Sequence, residues 1–212
     1  MRAIKFAVLP ILAATGVFAQ QQWEFGAVGG GGLINNVAAA SPAGSATAGF
    51  APGLATGVFA GQNLYHHVAG EIRYEYMQSD LQLSAGGQSA KFSGAAHAIH
   101  YDVIFHTNRK ESRAQLFGAI GGGVKAFFGT GAEEAFQPLS QFGYFTKTQT
   151  IKPMISAGAG VMYRVGPNVY LRTEVRDFMT PFPTAVLTPA PGVKYGSWLH
   201  EVVPMVGIVY VK

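Results

Sequence analysis

The 212-residue sequence contains no cysteine, and only 12% of its residues are charged although 49% are hydrophobic. Without cysteine, no disulfide framework stabilises the chain. Beyond the N-terminus, no uncharged apolar run is long enough to predict a membrane-spanning helix. A basic cluster with interleaved aromatic residues is also missing, so a nucleic-acid partner is not predicted. A chain of this size needs another source of order, and a closed ladder of hydrogen bonds within a membrane would supply it.

Residues 1–19 have the three parts of a secretory signal peptide. Arg2 and Lys5 supply the positive start, an apolar core follows over 6–16, and small residues surround the end at Ala19. This pattern predicts export, cleavage and a mature chain that begins at Gln20. Two of the fifteen basic residues lie in this signal, against eleven acidic residues in the whole chain. The positive charge of the mature chain is therefore too small to suggest a partner by itself.

The stretch 167–181 shows the pattern that organises the rest of the chain. Its alternate residues form one apolar and one charged set, as expected for a β-strand with two different faces. The apolar set is Val169, Leu171 and Val175, and the charged set is Arg172, Glu174 and Arg176. Residues 68–78 repeat this alternation, with Ile72 and Tyr74 opposite Glu71, Arg73 and Glu75.

Six further segments have strand character, which makes eight predicted strands. The predicted strands cover 23–33, 47–61, 68–78, 90–106, 113–128, 147–164, 167–181 and 197–212. The intervening stretches 30–45, 79–89, 129–146 and 179–196 are predicted to be loops, and 62–66, 107–112 and 165–168 are predicted to be short turns. Pro52 and Pro204 fall inside predicted strands, where each removes a ladder donor, so bulges or rim positions are expected there.

Long and short connections alternate along the chain, as they do in transmembrane barrels of bacterial outer membranes. Segments of ten or more residues are long enough to cross the hydrocarbon layer as tilted strands. Aromatic residues near the strand ends, such as Trp23, Tyr163, Trp198 and Tyr210, suit the two membrane interfaces. The fold predicted from these features is an all-β, eight-stranded, antiparallel, up-and-down transmembrane β-barrel over 20–212.

The predicted register turns a nearly balanced set of charges towards the barrel lumen. The inward basic residues are Arg73, Lys125, Arg164, Arg172 and Arg176, and the inward acidic residues are Glu24, Glu71, Glu75, Asp102, Glu174 and Glu201. Since an unpaired charge in a lumen is unfavourable, cross-lumen pairing is expected. Eight strands leave an interior that side chains just fill, which favours a plugged lumen over an ion pathway. Glycines at 121, 123, 158 and 160 are expected to make room for the long arginines.

Other groups of residues give weaker indications of a metal, catalytic or phosphate-binding site. His97 and His100 point to opposite faces of a strand, so they do not form a metal pair. His100, Asp102 and His106 share a face and leave a metal or hydrolase-like grouping open, although no serine accompanies them at a useful spacing. The run GAIGGGVK at 118–125 lacks the Ser or Thr of a phosphate loop and lies in a strand. No catalytic residue, metal site or cofactor is predicted.

The sequence resembles the family of small outer-membrane proteins with an eight-stranded, OmpA-like or porin-family β-barrel domain. The resemblance covers the mature chain and rests on the signal peptide, GEIRYEY at 70–76, SAGAGVMYRVGPNVYLRTEVRDF at 156–178 and VGIVYVK at 206–212. It implies a location in the outer membrane of a Gram-negative cell and a structural or surface-interaction role. It supplies no catalytic residues.

Four functional hypotheses follow. The leading one is a monomeric, non-enzymatic barrel with a plugged lumen that contributes to envelope integrity or adhesion. Its expected partners are outer-membrane lipid and lipopolysaccharide, the barrel-assembly machinery, and an extracellular ligand bound by the long loops. A narrow porin-like channel for small solutes is the second hypothesis, and a membrane-embedded lipid-modifying enzyme is the third. A soluble periplasmic binder is the fourth, but the outward apolar rows argue against it.

Overall fold

Eight strands of the chain close into an antiparallel barrel. The computed structural model describes residues 22–41, 44–107, 112–129 and 137–212, so the predicted signal peptide lies outside the described residues. The barrel strands are β1 (Trp23–Asn35), β4 (Gly53–Asn63), β5 (Val68–Gln78), β8 (Gly94–His106), β9 (Ala114–Gly129), β11 (Gln149–Arg164), β12 (Val169–Pro181) and β15 (Trp198–Val211). Around the ring their order is β1-β15-β12-β11-β9-β8-β5-β4. The predicted eight-stranded fold is therefore confirmed.

The alternation of side chains along each strand determines which residues face the lumen. On β12, Tyr170, Arg172, Glu174, Arg176 and Phe178 are buried. The residues between them are half-buried or exposed. The outer wall is consequently apolar, and its large exposed residues include Leu33, Val58, Ile72, Ile99, Ile120, Val124, Ile155, Val175, Val206 and Ile208. A water-soluble protein rarely exposes so continuous an apolar surface.

The two ends of the barrel differ in their connections. At one end, here called the turn end, short connections at 64–67, 107–113 and 165–168 join neighbouring strands. The first and last barrel strands also meet there, where Trp23 and Lys212 exchange backbone hydrogen bonds. The opposite end, here called the loop end, carries the four long connections. No stretch of the described residues forms a helix long and apolar enough to cross a membrane.

Short strands occupy parts of all four stretches that were predicted to be plain loops, and this part of the prediction is wrong. The additional strands are β2 (Val37–Ser41), β3 (Gly44–Phe50), β6 (Leu81–Ala85), β7 (Gln88–Phe92), β10 (Gly143–Phe145), β13 (Leu187–Pro189) and β14 (Lys194–Tyr195). They form a five-stranded sheet, β14-β2-β3-β6-β7, and a two-stranded sheet, β10-β13. Most of these strands have five residues or fewer and derive their order from packing between loops, which is hard to predict locally.

The two prolines behave differently. Pro52 lies between β3 and β4, so the predicted strand 47–61 is divided at a residue that cannot donate a ladder hydrogen bond;. Pro204 lies inside β15 opposite Val175, and the expected bulge is absent there, since the register continues on both sides. Towards β1, pairing stops after Gly30–Met205 and resumes at Leu33–Val202 in the same register. The barrel thus accepts Pro204 as a short gap in one ladder.

Candidate functional site

The lumen contains a buried group of charged side chains, here called the cross-lumen network. Its members are Glu71, Arg73 and Glu75 of β5, Asp102 of β8, and Arg172, Glu174 and Arg176 of β12. In the ring of eight strands, β5 and β12 stand four places apart and therefore form opposite walls. Because both run from the turn end to the loop end, their charged residues reach similar depths and meet across the lumen.

Glu71 and Glu174 each bind all three arginines of the network. Glu174 accepts a hydrogen bond of 2.6 Å from Arg73 Nη1, one of 2.9 Å from Arg172 Nη2 and one of 3.0 Å from Arg176 Nε. Glu71 accepts from Arg73 Nε at 2.9 Å, from Arg172 Nη1 at 2.6 Å and from Arg176 Nη2 at 3.2 Å. Hydrogen bonds between charged groups are about twice as strong as neutral ones. These contacts connect opposite walls of the barrel.

The loop-end side of the network reaches β8. Arg176 Nη1 donates to Asp102 Oδ2 at 2.5 Å, and Nδ1 of His100 lies 3.0 Å from the same oxygen. The ring of His100 also packs edge-on against Phe178, at 5.5 Å between centroids. Arg73 Nη1 donates to Glu75 Oε1 at 3.0 Å. His100 thus belongs with the network, although the sequence analysis considered it only for a metal or catalytic grouping.

Of the three arginines in the cross-lumen network, Arg172 lies nearest the turn end, and two aromatic rings enclose it. The guanidinium of Arg172 lies 4.5 Å from the centroid of Phe59 and 4.5 Å from that of Phe117. The guanidinium of Arg73 lies 4.8 Å from the same Phe59 ring. Cations bind aromatic faces favourably, and more strongly where water is excluded. The rings therefore fill the lumen beside the charges, a contribution that the sequence did not predict.

A second ion pair lies nearer the loop end, between Lys125 Nζ of β9 and Glu201 Oε2 of β15. Lys152 lies directly opposite Lys125 on the neighbouring strand, faces inward and is half-buried, but the predicted set omitted it. Arg164, which the sequence placed with the network, lies instead at the turn end. The predicted charges therefore occupy three levels of the lumen.

The glycine prediction is correct at one position. A Cβ on Gly158 would come within 2.8 Å of Arg176 Cδ, so this glycine does make room for an arginine. At Gly160 the neighbours are Phe117 and Glu174, and at Gly121 and Gly123 they are the β8 backbone with Asp102 and His100. The expectation for these three was wrong, because they accommodate the wall and other lumen residues.

The catalytic alternative gains little from the geometry. His100 and Asp102 are 2% and 0% exposed, and His106 follows Asp102 by four residues, about 13 Å along a strand;. His97 faces outward and receives or donates a 2.7 Å hydrogen bond with the Tyr74 hydroxyl. No group of three or more potential metal-binding His, Cys, Asp or Glu residues occurs within the described ranges.

The loop end of the lumen is covered by aromatic side chains, here called the aromatic cap. Phe50 stacks on Phe127 with centroids 5.5 Å apart, and Phe182 packs against Tyr195 at 5.1 Å. Burial raises the pKa of Tyr195, whose hydroxyl donates to the Phe142 carbonyl. The cavity left below, between Lys125, Phe178 and Glu201, measures only about 10 Å³, too little for a solute;.

The turn end contains a larger cavity, here called the vestibule, of about 350 Å³. Its lining includes Glu24, Asn63, Gln115, Arg164, Asn168 and Tyr170. Glu24 is 8% exposed and accepts a 2.9 Å hydrogen bond from Asn63 Nδ2. Polar side chains from several strand ends therefore surround an open space at this mouth.

Comparison with solved structures identifies the fold to which the barrel belongs. The structure resembles the crystal structure of Neisserial surface protein A, with 13% sequence identity, a TM-score of 0.51 and coverage of 89% of this chain and 96% of that one. It also resembles the solid-state NMR structure of outer membrane protein AlkL in lipid bilayers, with 12% identity, a TM-score of 0.51 and coverage of 97% of both chains. No protein-family model matches the sequence, and the search of curated proteins found no match. The chain has the fold of the small eight-stranded outer-membrane barrels.

Proposed function

We propose that this protein is an integral barrel of the bacterial outer membrane with a plugged lumen and a structural, non-enzymatic role. The observation that carries the proposal is the cross-lumen network, in which the side chains of Arg73 and Arg176 are 0% exposed. These charges are withdrawn from water and bind partners on the opposite wall, so they brace the barrel. They also leave no water-filled path between them. The apolar outer wall suits a lipid environment.

The orientation follows from the connections. Short turns and both described chain ends belong on the periplasmic side of such barrels, and longer connections belong outside. On this basis the turn end faces the periplasm and the loop end faces the surroundings of the cell. The N-terminal signal pattern supports export, and outer-membrane lipid, lipopolysaccharide and the barrel-assembly machinery are the expected partners. We propose a monomer.

The surface-interaction part of the proposal rests on the five-stranded sheet at the loop end. Its exposed side carries small polar residues, and Gln82 Nε2 and the hydroxyl of Ser84 both hydrogen-bond to Ser89 Oγ, at 3.2 and 3.1 Å. Thr47 lies opposite Ser84 on the adjacent strand. This row of hydroxyl and amide groups, beside the exposed Lys91, suits an extracellular ligand that offers many hydrogen bonds, which fits a role in adhesion.

Planar-bilayer recording tests the plugged lumen. The unaltered protein should show no steady unitary current steps, whereas Phe117→Ala, which removes one ring beside Arg172, should introduce them. Phe105→Ala is the matched control, because this ring is 50% exposed on the outer wall. Steady steps from the unaltered protein would refute the plug and favour the narrow porin-like channel. Membrane fractionation provides the second test, since recovery in the soluble periplasm without heat-dependent gel mobility would contradict the location.

A further inference from the structure

The outer wall carries an apolar groove, here called the wall groove, across β4, β5 and β8. It arises at Ala60, whose short side chain lies between the larger Ile72 of β5 and Phe25 of β1 in the strand pairing. The groove measures about 420 Å³, and small-molecule sites usually measure about 300–1,000 Å³. Its outward-facing side chains are Val58, Ala60, Ile72, Tyr74 and Ile99. A hydrocarbon chain is therefore the ligand that this lining matches.

The loop-end side of the wall groove ends in a group of aromatic side chains, here called the rim cluster, formed by Tyr74, Tyr76, His97 and Phe128. The centroid of the His97 ring lies 5.4 Å from that of Tyr76 and 5.3 Å from that of Phe128. Tyr76 pairs with His97 one step nearer the loop end than Tyr74 pairs with Ile99. Rings that combine an apolar body with a polar group are typical of the membrane interface. The apolar groove thus leads up to the level at which lipid headgroups begin.

Two polar groups of the rim cluster are open to a ligand. The Tyr74 hydroxyl lies 2.7 Å from Nδ1 of His97. Within the described part of the chain, neither Nε2 of His97 nor the hydroxyl of Tyr76 has a hydrogen-bond partner. In the tautomer that accepts at Nδ1, His97 carries its proton on Nε2 and donates from there. Two uncharged donors at the end of an apolar groove match the carbonyl oxygen that joins an acyl chain to its headgroup.

The next outward residue on β5 indicates the kind of headgroup. Gln78 is exposed, and its Nε2 donates to Asp80 Oδ2 at 3.4 Å, while its amide oxygen has no partner among the described residues. That oxygen suits a headgroup with hydroxyl donors, such as a sugar. In a bilayer other lipid chains compete for an apolar groove, so close packing and hydrogen bonds decide which lipid stays. The row of Tyr76, His97 and Gln78 therefore favours a glycolipid.

We propose that the wall groove binds one acyl chain of the lipid A part of lipopolysaccharide. The carbonyl of that chain accepts from Nε2 of His97 and from the Tyr76 hydroxyl, and a sugar hydroxyl donates to the amide oxygen of Gln78. This assignment rests on the proposed location and orientation, because the loop end must face the outer leaflet, where lipopolysaccharide resides. It gives a defined site to a lipid that otherwise meets the barrel anywhere on its wall.

Native mass spectrometry of the full mature chain, folded in detergent micelles, tests the proposal by counting bound lipids. The probes are lipid A and dioleoylphosphatidylethanolamine, added at equal concentrations. Each barrel should retain one lipid A, at least tenfold more often than it retains the phospholipid. Equal retention of the two lipids would overturn the assignment to lipid A, and retention of neither would overturn the site. Heat-dependent gel mobility of the same sample distinguishes these results from failure of the proposed function, because a chain that forms no barrel shows no shift.

Two variants locate the bound lipid. Ala60→Phe fills the wall groove and should lower the retention of lipid A at least tenfold. Ala159→Phe is the matched control, because Ala159 is an exposed outward alanine of β11, the strand that stands opposite β4 in the ring. His97→Phe keeps the ring but removes both nitrogens, and should lower retention at least fivefold.

Unchanged retention by folded Ala60→Phe, or equal losses in Ala60→Phe and Ala159→Phe, would refute the site. If Ala60→Phe fails to fold, which the gel shift reveals, His97→Phe and the comparison of the two lipids on the unaltered protein still decide the proposal. Unchanged retention by His97→Phe would refute the proposed contact with the acyl carbonyl.

Discussion

Replacing Arg172 with methionine is the sharpest test of the cross-lumen network. The substitution keeps an unbranched apolar stem between Phe59 and Phe117 but removes the guanidinium. Glu71 Oε2 then loses its 2.6 Å donor, and Glu174 Oε2 loses a 2.9 Å donor. Since the network holds four carboxylates and three arginines, the variant increases the excess of negative charge in a site shielded from water, although Glu71 and Glu174 keep their hydrogen bonds from Arg73 and Arg176.

The expected effect is large. Each hydrogen bond to a charged group contributes about 1.5–3 kcal/mol, and two close ones are lost. Loss of one partner from a buried ion pair costs about 3–5 kcal/mol because the remaining charge stays buried. We therefore expect Arg172→Met to lower the free energy of unfolding by about 4 kcal/mol. Reversible urea unfolding in lipid vesicles, followed by tryptophan fluorescence and by the heat-dependent gel shift, measures this quantity.

Leu171→Met is the matched control, because it introduces the same residue one position earlier on the outer wall. It should change the free energy of unfolding by less than about 0.5 kcal/mol, as is usual for exposed positions. Combining Arg172→Met with Glu71→Gln should cost less than the sum of the two single changes, since the second removes the excess negative charge that the first creates. A loss below about 1 kcal/mol for Arg172→Met would refute the network as a brace.

Three other predictions test the remaining parts of the fold. Gly158→Ala should destabilise the barrel by about 1–3 kcal/mol through overpacking against Arg176 Cδ, whereas Gly118→Ala, with nothing within 4 Å of its added Cβ, should be neutral in the same unfolding assay. Val175→Lys on the outer wall should cost about 2–4 kcal/mol in a bilayer, and equal stability in lipid would contradict the assignment of that wall. Phe182→Ala should loosen the aromatic cap, so added protease should cleave the loop end of the protein faster on intact cells. An unchanged cleavage rate would contradict a stabilising role of the aromatic cap.

Side-chain alternation, a strictly local property, predicted the barrel together with the alternation of long and short connections. The reason is that residues two apart on a strand share a face, so apolar and charged sets in 68–78 and 167–181 indicate one lipid-facing and one enclosed side. The same alternation predicted that the charged sets of these two stretches face the lumen. The structure pairs Arg73 with Glu174 and Arg172 with Glu71, because β5 and β12 stand on opposite sides of the ring.

Tertiary structure decided what surrounds those charges. The stacking of Phe59 and Phe117 on Arg172 depends on side chains from three strands that are far apart in sequence, and no local pattern marks it. The loop-end strands are short and draw their stability from each other, so their sequences resemble ordinary loops. Arg164 has the right face but the wrong depth for the network, since the length of β11 beyond Gly158 carries it to the turn end. The sequence by itself determined whether a side chain faces the lumen or the outer wall. Only the packing in three dimensions determined how far along the lumen each side chain lies and which residues surround it.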